Sequence, residues 1–288
     1  MHRISMVYDL VRLEEKAIIE AAKKRSSEID FKTFDSKDLY FDLLDADEVP
    51  RKFGQVVLQR SASYFRNLHL TAVLECNGSR VVNGLDVALK TGNKLITSLL
   101  LARNNVPTPK TKLAFTEESA MKALEELGYP AILKPTIGSW GRMVALLNDQ
   151  DAATSVIDDR EEMFPLYQVY YIQEKVKRPP RDIRAIVIGN ETVAAIYRIS
   201  TTRDWRTNTA RGGKAENLPI SKELDDLCIR ATRPFGSGFY GVDLMESEDR
   251  GLLVHEVNNT TEFKNVMAQS KQDIPGKLVD YLIALAKK

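Results

Sequence analysis

The sequence predicts a parallel α/β unit followed by two smaller, strand-containing units, on three observations. Short apolar runs alternate with helix-patterned segments over the first 90 residues. A helix and a proline-broken connector, VPTPKT, then restart the pattern. From residue 171 onward, strand-like runs dominate. The expected units are 1–90, 91–170 and 171–288.

The elements follow in order. ISMVYD is a first strand, and LEEKAIIEAAKKR places Ala17, Ile18, Ala21 and Ala22 at helical spacing. IDFKTFD, GQVVLQR and SRVVN are short strands, with YFRNLHLTAVLEC a helix between the last two. NKLITSLLLARNN is a helix that opens the second unit. Thr116 caps the next one, EESAMKALEEL, and Gly128 stops it. YPAILKP is a buried strand, and IGSWGRMVALL a glycine-bearing turn between strands. YIQEK, DIRAIVIG, TVAAIYRIS, FYGVDLMES and GLLVHEVN supply the third unit's strands, with helices over KELDDLCIRATRPFG and at the end of the chain.

Composition excludes several function classes. A net charge of +1 argues against a protein devoted to coating nucleic acid or an anionic membrane. No apolar run reaches the ~18 residues of a membrane helix, and HRISMVYDLVRLEEK turns charged too soon for a signal core. Two distant cysteines make neither a disulfide framework nor a zinc spacing, so a cytoplasmic setting is expected. With three histidines in the chain, chemistry must lean on Lys, Arg, Asp, Glu and Asn.

LLVHEVNNTTEFKN ends an apolar strand in Glu256 and Asn258. Strict alternation puts both on the face of Leu252 and Val254, where they form a magnesium site or a polar rim. A hairpin over GVDLMESEDRGLLVHEVN would add Asp243 to them. Lys94 opens a helix, and Lys134 ends a buried strand, where it snorkels or meets an anion. Gly138 and Gly141 flank Ser139 and Trp140 in TIGSWGR, a phosphate-facing loop or a plain turn without the Walker ending. RDWRTNTARGG is a basic loop or an anion site, and Arg198 sits in a strand that would bury it. Gln173, Glu174, Lys175 and Val176, with Asp182 beyond them, could meet a purine and its ribose, or form a charged linker.

The order of these features resembles the ATP-grasp ligases over about residues 90–270, and through RGG and E-x-N their RimK-like branch. GSWGR, VYDLVRLEEK and EVNNTTEFKN are similar to the LysX family within it, which joins α-aminoadipate to the amino-group carrier protein LysW. The resemblance implies an ATP-grasp fold of two α+β units behind a pre-ATP-grasp α/β domain. It also implies ATP and Mg2+ as cofactors, an acidic LysW-type partner, a homodimer or homotetramer, and a role in lysine biosynthesis. Lys94, Lys134 and Gly138–Arg142 would contact the phosphates, Gln173–Val176 the adenine and Asp182 the ribose. Arg206 and Asn208 would lie near the phosphates, with Arg211 by the acyl phosphate. Arg198, Asn259, Thr260 and Thr261 would bind the amino acid, and Asp243, Glu256 and Asn258 the magnesium. The alternatives are the glutamate-adding sister of the arginine route or dual use, a RimK-like protein glutamate ligase, and a non-catalytic ATP-binding protein.

Overall fold

A computed structural model describes residues 1–45, 48–138, 141–201 and 214–288. Its first part is a parallel sheet ordered β2-β1-β3-β4, built from β1 (His2–Tyr8), β2 (Ile29–Asp35), β3 (Val56–Gln59) and β4 (Arg80–Val82). Ile4, Met6 and Val7 are fully buried because helices cover both faces of a parallel sheet. Those helices are α1 (Leu13–Lys23), α2 (Glu48–Phe53) and α3 (Tyr64–Cys76), with the C-terminal helix described below. At the C-terminal edge of this sheet, Arg60 Nε donates to Glu15 Oε1 at 2.9 Å, and neither side chain has any exposure. Burial alone would raise the Glu15 pKa, but the hydrogen bond from Arg12 and the charges of Arg60 and Arg12 hold it at about 2. Removing one partner strands the other charge in the interior, so Glu15→Ala should cost about 3–5 kcal/mol in urea unfolding. The folded carboxyl titrates below its unfolded value of 4.5, so this stability is present above that pH and lost as pH falls towards 2.

Next come α4 (Leu85–Gly92) and α5 (Lys94–Arg103), then β5 (Thr111–Ala114), α6 (Glu117–Leu127), β6 (Ala131–Lys134), β7 (Ala145–Leu147), α7 (Gln150–Glu161) and β8 (Tyr170–Glu174). The four strands form an antiparallel sheet ordered β5-β8-β6-β7. Thr116 accepts from the Ser119 N–H and Gly128 ends α6 at φ 84°, as the sequence predicts. Contacts cross both ends of the expected second unit. YIQEK pairs with β5 and β6, so it closes the central sheet instead of opening the third unit. In the other direction, Leu101 of α5 and Val106 are buried with Val242 and Val254 of the third unit, and the Val254 N–H donates to the Pro107 carbonyl at 2.7 Å.

The last sheet is antiparallel and ordered β11-β10-β9-β12-β13. Its strands are β9 (Arg181–Gly189), β10 (Glu191–Ile199), β11 (Lys214–Asn217), β12 (Gly238–Ser247) and β13 (Gly251–Asn258), accompanied by α8 (Lys222–Thr232), α9 (Lys264–Ser270) and α10 (Ile274–Ala286). One face packs on α8 through Ala185, Val187, Leu224 and Cys228. The other packs on α10 and the N-terminal sheet through Ile186, Ile196 and Phe239. Among the described residues, no helix is long and apolar enough to cross a membrane.

Strict alternation along β13 fails. Asp243 pairs with Glu256 but Leu244 pairs with Val254, which leaves His255 as the extra residue of a β-bulge. Leu252 and Val254 pack into the core beside α8. His255, Glu256 and Asn258 instead line a cleft. The expectation that Leu252 and Val254 share a face with Glu256 and Asn258 is therefore wrong, because the bulge resets the alternation between them.

Candidate active site

A cleft of about 360 Å³ opens where the three sheets meet. The central sheet contributes Lys134 at the end of β6. Ala131 and Leu133 face the apolar core, so alternation turns Ile132 and Lys134 to the cleft. Lys134 Nζ donates to Gln173 Oε1 on β8 at 2.5 Å and lies 2.7 Å from His255 Nε2 on β13. The lysine thus bridges the central and C-terminal sheets. Burial pulls its pKa down to about 7; Glu256 opposes this shift, while Lys94 and Arg178 reinforce it. Burial and the charge of Lys134 push His255 well below the usual imidazole range, so the imidazole is neutral and accepts from the ammonium.

Lys94 starts α5, whose cap Asn93 accepts from Leu95 and Ile96. Its Nζ donates to the Gly138 carbonyl at 2.5 Å and stands 3.6 Å from Glu256. One end of the glycine loop is thereby tied to the helix. The other end carries Gly141 at φ 65° and Met143 at φ 57°, and buried Arg160 holds the Met143 carbonyl at 2.6 Å. Gly138, Gly141 and Arg142 line the cleft.

The floor is a ladder of opposed charges on the last sheet. Arg198 sits opposite Asp182 and donates to both its oxygens, at 2.6 and 2.9 Å. Arg184 sits opposite Asp243 and grips both its oxygens. Arg198 also lies 3.2 Å from Asp243. Burial would raise the Asp243 pKa, but Arg184 and Arg198 hold it at about 2. For Arg198, Asp243 and Asp182 overcome burial and raise its pKa. Glu256, directly across from Asp243, is the carboxylate these arginines leave to the cleft. Gly241 is opposite Asn258, and a Cβ there would meet Thr261 Oγ1 at 2.1 Å; only glycine admits this approach.

Two family models match the chain: the LysX preATP-grasp domain over residues 4–89 and the RimK-like ATP-grasp domain over residues 91–282. The chain belongs to the RimK-like ATP-grasp ligases. It is 39% identical to the alpha-aminoadipate–LysW ligase LysX of Saccharolobus solfataricus, over 96% of this chain and 99% of that one. It is 33% identical to the glutamate–LysW ligase ArgX of Sulfolobus acidocaldarius, over 97% and 98%. The fold matches the ATP-grasp ligase PsnB, solved with a phosphomimetic variant of its minimal precursor, Mg and ADP, at a TM-score of 0.75 and 20% identity over 98% of both chains.

In this ATP-grasp ligase, most of the expected site residues converge. Lys94, Lys134, Asp182 and Arg198 line one cleft with Asp243, Glu256 and Asn258, and so do Asn259, Thr260 and Thr261. Gln173 turns to Lys134, Thr111 and Tyr171 instead. Glu174 binds the Lys110 N–H at 2.6 Å and Arg250 at 2.7 Å, Lys175 is exposed, and Val176 packs on Met245 and Leu253 beside the cleft. Ser139, Trp140, Arg206, Asn208 and Arg211 lie outside the described residues. The sequence reading missed His255, which only the bulge aims inward. It also gave no role to Arg184, although its place two residues after Asp182 on one strand puts both on one face.

Among the described residues, no three Asp, Glu, His or Cys side chains cluster as a metal site. The donor set is two carboxylates and one amide, all oxygen donors of the kind a hard cation prefers. Asn258 lines the cleft and would offer its amide oxygen, while its buried amide nitrogen has no hydrogen-bond partner in the structure.

Proposed function

We propose that the enzyme joins the side-chain carboxylate of a LysW-type carrier's C-terminal glutamate to the α-amino group of α-aminoadipate, with ATP cleaved to ADP and phosphate. The near-full-length identity to LysX, six points above that to ArgX (39 against 33), carries the choice of substrate. Asp243, Glu256 and Asn258 would hold magnesium, which supplies positive charge at the phosphates. Val176, Met245 and Leu253 form an apolar patch suited to a purine face.

The carrier carboxylate attacks the γ-phosphorus, the bond to the bridging oxygen breaks, and an acyl phosphate and ADP result. The free amine then attacks the acyl carbon, phosphate leaves, and the amine sheds a proton. Two anions meet in the first step, so Lys94, Lys134 and Arg142 serve to offset their repulsion. An acyl phosphate must be kept from water, and Gly138, Gly141 and Arg142 line the cleft that would hold it. We read the active form as a homo-oligomer, which light scattering would measure.

The test is intact-mass spectrometry of the carrier after incubation with enzyme, ATP, magnesium and either amino acid. The carrier should gain one aminoadipate residue. A gain with glutamate at equal rate would move the enzyme to the arginine route or to dual use; the side chains differ by one methylene, worth only ~1–3 kcal/mol in an apolar pocket. ATP consumption with no gain from either would remove the proposed substrate.

A further inference from the structure

Residues 259–264, between β13 and α9, are held one after another by the N-terminal unit. Asn83 Nδ2 donates to the Asn259 carbonyl at 3.2 Å, and Asn67 Nδ2 to Thr260 Oγ1 at 3.2 Å. Arg60 Nη1 donates to the Thr261 carbonyl at 3.0 Å, and Arg12 Nη1 to Glu262 at 3.3 Å. Glu14 Oε1 accepts from the Phe263 and Lys264 N–H groups at 3.1 and 3.0 Å. A loop needs far fewer contacts merely to stay attached. Here five side chains from the other end of the chain hold all six residues, Phe263 and Lys264 sharing Glu14, so the N-terminal unit acts as a template for the segment's shape.

We propose that this grip sets the amino-acid pocket, with Asn67 as a positioning residue that orients the Thr260 hydroxyl toward a substrate carboxylate. This rests on reading the cleft as an amino-acid ligase site. Asn67 and Thr260 both line the cleft, and Asn67 is 4% exposed. The Asn67 amide nitrogen is shared between the Ser61 carbonyl and Thr260, which fixes the amide plane. A hydroxyl has one proton and two acceptor positions. By accepting from Asn67, Thr260 keeps its own proton free to donate into the cleft. The reach of that donor from the reacting centre then discriminates between diacid amino acids of different length. Asn67 hydrogen-bonds to Ser61 and Thr260 and to neither Lys94 nor Lys134, so KM for ATP serves as the control.

The experiment is steady-state kinetics of Asn67→Ala, Asn67→Asp and Thr260→Val, with the Asn67→Ala/Thr260→Val double variant. Asn67→Ala should raise KM for the amino acid about tenfold, the scale of one hydrogen bond, and leave KM for ATP within about twofold. Asn67→Asp should do more, because a carboxylate draws the Thr260 proton away and repels an anion. The preference between aminoadipate and glutamate should narrow in both. The double variant should be no worse than Thr260→Val alone. Equal rises in both KM values, or effects that multiply in the double variant, would mean a general structural role and overturn the proposal. If wild type transfers no amino acid, the underlying reading fails; if it does and Asn67→Ala keeps the wild-type KM and preference, this inference alone fails.

Discussion

Lys134→Met should lower kcat/KM for ATP by about 10²–10³-fold, the usual loss when one preorganised donor is taken from a site of developing charge. Methionine preserves length and burial, so the effect isolates the ammonium. The variant should stay folded, because the charge itself is costly there. The lysine's pKa in the free protein, about 7 against an ordinary 10.5, means that below pH 7 the folded state carries the full penalty of a buried ammonium. That penalty is relieved as pH rises from 7 to 10.5. Bound phosphates reverse the balance by giving the ammonium a partner. Nucleotide binding should therefore take up a proton above pH 7, and affinity should weaken from there upward. Calorimetry in two buffers of different ionisation enthalpy measures that uptake directly. Wild type and Lys134→Met with the same proton uptake would remove Lys134 from the phosphate site. His255→Gln keeps an acceptor for the lysine and should lose far less activity than His255→Leu.

The sequence made legible what alternation and turn chemistry encode. The parallel α/β start, the Thr116 cap and the hairpin that sets Asp243 against Glu256 all follow from local pattern, and the structure has each of them. What stayed hidden depends on partners distant in sequence. YIQEK looks alike whichever sheet it joins, and only its pairing with β5 and β6 decides. The bulge at His255 leaves no trace in hydrophobic pattern, since LLVHEV alternates as well with it as without. Arg198 needed an anionic partner on burial grounds alone, but the sequence could not say that Asp182 and Asp243 would both supply it. The contacts from Asn67, Arg60 and Glu14 to residues 260–264 span most of the chain, beyond the reach of any local rule.

Glu256→Gln should reduce ligation by at least about 10²-fold, and its signature should differ from that of Lys134→Met. Asp243 has both oxygens committed to Arg184 and one shared with Arg198, so its charge is already offset within the protein. Glu256 faces the cleft, with Lys94 at 3.6 Å as the cation paired with it among the described residues, and its charge opposes the burial penalty on Lys134. Neutralising it removes the less committed of the two carboxylates that could hold magnesium and depresses Lys134 further. ADP binding without magnesium should change little, whereas the strengthening that magnesium gives to wild type should vanish. Titrating ADP with and without magnesium separates these effects. If Glu256→Gln keeps the full magnesium effect, the carboxylate serves only to balance Lys94 and Lys134. Asp243→Asn provides the contrast. Removing that charge takes from Arg184 and Arg198 a buried carboxylate that both hold, so this variant should lose thermal stability as well as activity, while Glu256→Gln loses activity alone.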